Sequence, residues 1–137
     1  KDSGEGHIIN LSSMSAFVGL PGQTSYCATK AAVKLLSESM WAEMEKLDIG
    51  VTSVHPGAIK TGMIQATLKN SDDLEAAQRN YEFAQRIGIT PEHVAARIIK
   101  AIQKKDLRIR VGKDAILLDL LKRWFPAGIQ KLLRLAA

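Results

Sequence analysis

Cysteine is nearly absent: the 137 residues include one, Cys27. One thiol can make neither an internal disulfide nor a cysteine-based zinc site, so the chain reads as intracellular and cytoplasmic. Aromatic residues are scarce, at 5%. With no zinc-ligand spacing and no aromatic RNA-binding strand, nucleic acid is not an expected partner. No apolar run approaches the roughly 18–20 residues that a membrane span requires. The opening Lys1-Asp2-Ser3-Gly4-Glu5-Gly6 is polar and lacks a signal-peptide pattern. It also lacks an initiator Met, so the chain is expected to start inside a longer protein. His7 and His93 have no partners at metal-ligand spacing, and no metal is expected. Neither an internal repeat nor a low-complexity tract is present.

What is present suits one folded domain. The chain is 46% hydrophobic and 24% charged, enough to bury a core and too apolar for disorder. Charge is uneven. Residues 1–96 hold 8 Lys+Arg against 11 Asp+Glu, a net of −3, whereas 97–137 hold 11 against 3, a net of +8. A basic C-terminal third fits an anionic surface or an ordinary solvated face.

The β-branched run His7–Ser12 predicts a buried strand, followed by a Ser/Gly/Pro loop over 13–23. A helix is expected from about Ser25 to Leu47, with Thr24 or Ser25 as its cap. Its apolar face would be Val33, Leu36, Met40, Met44 and Leu47, and Gly50 would serve the closing turn. Val51–Val54 predicts a second strand, ended by Pro56-Gly57. Residues 58–90 read as a long irregular segment, the kind that forms a lid or substrate loop. Thr90 caps a helix that starts at Pro91 and runs to about Lys104, with Val94, Ile98, Ile99 and Ile102 inward. Arg108–Val111 alternates as a strand, and Asp114–Phe125 and Ile129–Leu135 read as helices around Pro126. The order β-α-β-loop-α-β is that of an α/β parallel sheet, and three strands look like part of a larger one.

Tyr26 and Lys30 stand four apart at the start of a helix, hence on one face. A nearby ammonium favours phenolate, which would bring the phenol towards general acid–base work at neutral pH. Ser13 follows the first strand at its C-terminal end, where open α/β sheets bind ligands. A hydroxyl there can hydrogen-bond a substrate oxygen as charge develops on it. Ser12 is the competitor, but an extended backbone should point it to the opposite side. Cys27 lies a step of about 100° round the helix from Tyr26 and reads as a packing residue. His55 reads as a spacer at a strand end.

Taken together, Asn10-Leu11-Ser12-Ser13, then Tyr26-Cys27-Ala28-Thr29-Lys30-Ala31-Ala32, then His55-Pro56-Gly57-Ala58-Ile59-Lys60-Thr61 resemble the short-chain dehydrogenase/reductase family. The resemblance is strong over residues 6–62, weaker over 63–112, and over 113–137 it extends only to variable C-terminal extensions. The family's serine precedes its tyrosine by thirteen positions, which selects Ser13. The resemblance implies catalytic roles for Ser13, Tyr26 and Lys30. Tyr26 would move the proton and also contact the cofactor, Lys30 would bond the nicotinamide ribose, and Ser13 would hold the substrate oxygen. Pro56 and Gly57 would pass along the nicotinamide, with the Ile59 backbone and the Thr61 hydroxyl at its carboxamide. A glycine at the turn lets backbone approach a flat ring closely.

The cofactor implied is NAD or NADP, and the substrate a small carbonyl or alcohol compound. Met63, Ile64, Leu68, Tyr81 and Phe83 hint that the substrate is lipophilic. The family's Gly-rich dinucleotide turn and relay asparagine are missing, since Gly4-Glu5-Gly6 leads into a strand. The implied fold is therefore α/β, the C-terminal half of a Rossmann-like doubly wound parallel sheet. Residues 1–112 would be the catalytic half and 113–137 an amphipathic basic helical extension. The fragment alone should be inactive and hold NAD(P) poorly, and the full-length protein should be a homo-oligomer. The rival readings are a non-catalytic membrane- or partner-binding module and a dehydratase or epimerase. For 113–137 the first reading is a flap over the cleft or a subunit interface. The second is a membrane-peripheral helix resting on anionic lipid.

Overall fold

A computed structural model describes residues 6–61 and 74–135. Three strands form one parallel sheet in the order β1-β2-β3. They are β1 (Gly6–Leu11), β2 (Ile49–Pro56) and β3 (Arg108–Val111). Gly6 pairs with Ile49 and Leu11 with Val54, while Ser53 pairs with Arg108 and Pro56 with Val111. The central β2 is buried from Val51 to Pro56, as expected for a parallel strand covered on both faces.

The helices among the described residues are α1 (Thr24–Met44), α2 (Leu74–Ile87), α3 (Pro91–Lys104), α4 (Lys113–Trp124) and α5 (Pro126–Leu135). Alternation along β2 divides the core between two faces. Val54 meets Val94 and Ala101 of α3 together with Ile109 and Val111 of β3. The opposite face carries Asn10, whose amide donates to Ser37 Oγ of α1 at 3.1 Å. Ser37 in turn donates to Val33 O at 2.6 Å. Helices on both faces of a parallel sheet make the doubly wound arrangement.

Several elements differ from expectation for identifiable reasons. The N-cap of α1 is Gln23, whose side chain makes no capping bond, and Thr24 and Ser25 already lie inside the helix. The left-handed residue after α1 is Asp48, with φ 51°, and not Gly50. Gly50 belongs to β2, where a Cβ would fall 2.3 Å from the His7 ring. Leu36 is exposed because the buried line of α1 runs through Ser37, one residue step round from it, and Leu47 is exposed beyond the end of the helix at Met44. In α3, Val94 and Ala101 are buried while Ile99 and Ile102 face outward, one residue step round from the buried line.

The segment 58–90, expected to be irregular, contains α2. Its buried residues Ala77 and Ala84 are small, which hid the helical stripe from a hydropathy reading. Tyr81 and Phe83 lie on this helix. Met63, Ile64 and Leu68 fall outside the described residues. Helix α5 begins at Pro126 and not at Ile129, since proline is already preset for the first helical position. No helix among the described residues is long and apolar enough to cross a membrane.

Candidate active site

The loops that follow the three strands meet at the carboxyl edge of the sheet. Ser12 continues the β1 ladder, its N–H donating to Val54 O at 2.8 Å. Its hydroxyl is buried and donates to Lys30 O at 2.8 Å, tying the end of β1 to α1. Ser13 is extended and half-buried, and its Oγ accepts from Ser15 N at 3.2 Å. That hydroxyl keeps its proton free to donate elsewhere.

Tyr26 and Lys30 occupy the first turns of α1, and the Tyr26 side chain is exposed. The Lys30 Nζ lies 5.6 Å from the Tyr26 ring centroid. It also donates to Leu11 O at 3.1 Å. Lys30 is thus bonded to the end of β1 twice, through its side chain and through its own carbonyl. These bonds set the Tyr26–Lys30 turn beside the strand end that carries Ser13. Cys27 is half-buried, and its sulfur accepts from Leu20 N at 3.3 Å.

The segment after β2 is held by backbone on two sides. Gly57 N donates to Val111 O at 2.8 Å. Ile89 N donates to Ala58 O at 2.9 Å, and Lys60 N donates to Ile89 O at 3.0 Å. In this parallel Ile59–Ile89 bridge the residues flanking Ile59 bond Ile89, so the Ile59 N–H and C=O face the other way. One donor and one acceptor side by side match a primary carboxamide. Pro56 is buried at the end of the ladder, and Thr61 is half-buried beyond it.

Two residues at this edge were not identified as functional from the sequence. His55 is not a mere spacer. It is fully buried at 0% exposure, with its ring 4.5 Å from Phe17. Nδ1 lies 3.1 Å from Ser13 O and Nε2 lies 2.8 Å from Ser53 Oγ. A carbonyl can only accept, so Nδ1 carries the proton and Nε2 accepts from Ser53. Burial pushes the His55 pKa down to about 4, aided by Arg108 and Lys34 and opposed by the Ser13 bond and Asp119. His55 therefore holds the backbone of Ser13 as a neutral ring. The second residue, Asp114, accepts from Ala58 N at 2.7 Å. No signal in the sequence linked either residue to its partner, 42 and 56 positions away.

Beyond the edge, α4 is anchored by Asp119, whose side chain is 5% exposed. It accepts from Arg110 Nη1 at 2.7 Å and from Arg123 Nε at 3.0 Å. Burial pushes its carboxyl up, but the two guanidiniums outweigh that and hold it below the usual carboxylate range. Gln130 of α5 donates to Gly19 O at 3.2 Å, linking the C-terminal helix to the loop between Ser13 and Tyr26. Among the described residues, no cluster of His, Cys, Asp and Glu could hold a metal ion.

A family model described as short chain dehydrogenase matches residues 1–72. The chain belongs to the short-chain dehydrogenase family. It is 34% identical over 134 residues to SadH of Mycobacterium tuberculosis, named as an oxidoreductase, covering 95% of this chain and 48% of that protein. A short-chain dehydrogenase of Mycobacterium paratuberculosis bound to NAD superposes with a TM-score of 0.61 at 27% identity. That match covers 82% of this chain and 46% of the other. A short-chain dehydrogenase of Burkholderia cenocepacia in complex with NADP gives a TM-score of 0.74 at 24% identity, covering 96% and 48%, and speaks for the fold. This short-chain dehydrogenase chain thus spans about half the length of SadH.

Proposed function

We propose that this chain carries the acid–base and nicotinamide-side part of an NAD(P)-dependent oxidoreductase that interconverts an alcohol and a carbonyl compound. The observation that carries the reading is the double fastening of Lys30 to the end of β1. It sets a phenol, an ammonium and the Ser13 hydroxyl at one edge of the sheet, where parallel α/β folds bind ligands.

In alcohol oxidation Tyr26 takes the hydroxyl proton, and in carbonyl reduction it gives that proton back. Ser13 donates a hydrogen bond to the substrate oxygen in either direction. Lys30 has three N–H donors and spends one on Leu11 O, so two are left for the nicotinamide ribose. Ile59 would hold the carboxamide through its backbone, with Pro56 and Gly57 lining the approach and the Thr61 hydroxyl beside it. When bound, NAD or NADP supplies or accepts the hydride at the substrate carbon. The NAD and NADP named for the solved relatives support that cofactor class.

No G-x-G-x-x-G occurs in the sequence, so the pyrophosphate end would be held by chain upstream of Lys1. Residues 1–112 would then be the catalytic half and 113–137 a helical extension. The 137 residues alone would bind NAD(P) weakly and be inactive. The exposed apolar residues Leu35, Leu36 and Trp41 of α1 would be covered by a second copy in the full-length protein.

The test is Tyr26→Phe in the full-length protein, assayed with a secondary alcohol or ketone that the wild type turns over. Loss of a general acid–base group should lower kcat by about 10²–10⁴. The cofactor dissociation constant should stay within about twofold, since the phenol is not its anchor. An unchanged kcat refutes the assignment. Turnover without net change in reduced cofactor would instead identify a dehydratase or epimerase using the same tyrosine.

A further inference from the structure

We propose that Asp114 is a positioning residue that fixes Gly57–Ala58 so that Ile59 can present its N–H and C=O to the nicotinamide carboxamide, an inference that rests on the oxidoreductase reading. Asp114 stands in the first turn of α4, beyond β3, and reaches back to the segment that follows β2. Its Oδ2 accepts from Ala58 N at 2.7 Å, within the range of a charge-assisted bond.

Two glycines are shaped to this carboxylate. A Cβ on Gly57 would lie 2.0 Å from Oδ1, 2.1 Å from Oδ2 and 2.2 Å from Cγ. A Cβ on Gly112 would lie 2.4 Å from Oδ1, and Gly112 also has φ +107°, a conformation that suits glycine. The Asp114 carboxylate thus sits between two Cα atoms that have no side chain. The side of Gly57 on which a Cβ would stand is filled by Asp114, so a side chain there would collide with a carboxylate from the same chain.

The clasp completes the fixation of Ala58. Its C=O is bonded by Ile89 N, and Asp114 bonds its N–H. The residue that leads into Ile59 is then held at both of its backbone polar groups, with Gly57 N on Val111 O just before it. Without Asp114 the Ala58 N–H loses its partner and the space between the two glycines opens, so Gly57–Ala58 can turn. The outward pair of Ile59 groups then has to be ordered at the moment of binding, which weakens it. Asp114 also lies where a negative charge suits the α4 dipole, so a purely structural role must be separated from positioning.

The experiment compares wild-type, Asp114→Ala and Asp114→Asn full-length proteins. NADH and NADPH binding is followed by nicotinamide fluorescence. Binding of ADP-ribose and its 2′-phosphate, which lack the nicotinamide, is followed by calorimetry. For positioning, Asp114→Ala should bind the reduced cofactor about tenfold more weakly, the scale of one lost hydrogen bond with its ordering cost. ADP-ribose affinity should stay within about twofold. Asp114→Asn keeps an acceptor oxygen for Ala58 N and should recover most of the loss. A second variant, Asp114→Ser, keeps a polar residue suited to the first turn of α4 but is too short for the bond to Ala58 N, and should show the same selective loss if Asp114→Ala fails to fold. Equal weakening of both ligand types, or none, overturns the proposal. If the wild type binds neither NADH nor NADPH, the oxidoreductase reading fails, and this inference with it.

Discussion

His55 offers a direct measurement of what buried neutrality contributes to this fold. Its pKa is pushed down to about 4 from an ordinary 6.5, chiefly by burial. The unfolded chain takes up a proton on this ring below 6.5, whereas the folded protein resists until about 4. The stabilisation is therefore fully present above pH 6.5 and is lost as pH falls towards 4. One proton taken up only by the unfolded state costs about 1.4 kcal/mol per pH unit, so about 2.5 kcal/mol is gone by pH 4.5. Other groups titrate in this window, and His7, lowered by its own burial and by Lys105, adds the same sign. A His55→Gln variant removes only the imidazole and keeps a donor for Ser13 O. Urea unfolding of the full-length wild type and variant from pH 7.5 to 4.5 isolates the effect. The wild type should lose about 2–3 kcal/mol more than the variant over that span. Parallel curves would refute the claim that His55 is held neutral against the Ser13 carbonyl.

Two further outcomes are expected. Arg110→Ala leaves the nearly buried Asp119 carboxylate with Arg123 alone. Because both arginines are partly exposed, the loss should be about 1–2 kcal/mol in urea unfolding at neutral pH, shrinking as Asp119 is protonated. For the C-terminal helices, Trp124 is 76% exposed, and Phe125, Leu132 and Leu135 are exposed among Lys113, Lys122, Arg123, Lys131 and Arg134. The Gln130–Gly19 bond favours a flap over the cleft, so the full-length protein should not co-sediment with phosphatidylserine vesicles at low salt. Binding that disappears on deleting residues 113–137 would instead make the segment a membrane contact.

The strands were legible because each is a short apolar run closed by polar or turn residues, and Thr90-Pro91 marked the start of α3 without ambiguity. The Thr90 hydroxyl does accept from His93 N, at 3.3 Å. Helix α2 was not legible, since its buried line runs through Ala77 and Ala84, which carry little hydropathy contrast. The end of α1 was misplaced because a glycine looked the natural left-handed residue, yet Asp48 takes that conformation and bonds Lys105 across the surface at 2.6 Å. The candidate chemistry was legible as residue types at fixed spacing along one strand end, one helix turn and one Pro-Gly turn. What positions those groups was not. His55 and Asp114 act over 42 and 56 residues of separation, and nothing local distinguishes a histidine before proline from a spacer.

These long-range bonds follow one rule. Each point at the carboxyl edge is fastened by a strand or helix that lies later in the chain. The end of β1 is held by Lys30 of α1, and the Ser13 carbonyl by His55 of β2. Gly57 is held by Val111 of β3, and Ala58 by Asp114 of α4. None of these fastenings draws on residues before Gly6, so the proposed acid–base and nicotinamide-side groups would be pre-set by the described sheet and helices alone. On the proposed reading the dinucleotide's pyrophosphate would be anchored by chain upstream of Lys1, and the two tasks would be separable by mutation. Changes at His55 or Asp114 should act on nicotinamide contacts and turnover, and changes upstream should act on ADP-ribose affinity. Such a division would meet the need of catalysis for groups already in place when substrate arrives, because pre-ordering removes an entropy cost from the reactive complex.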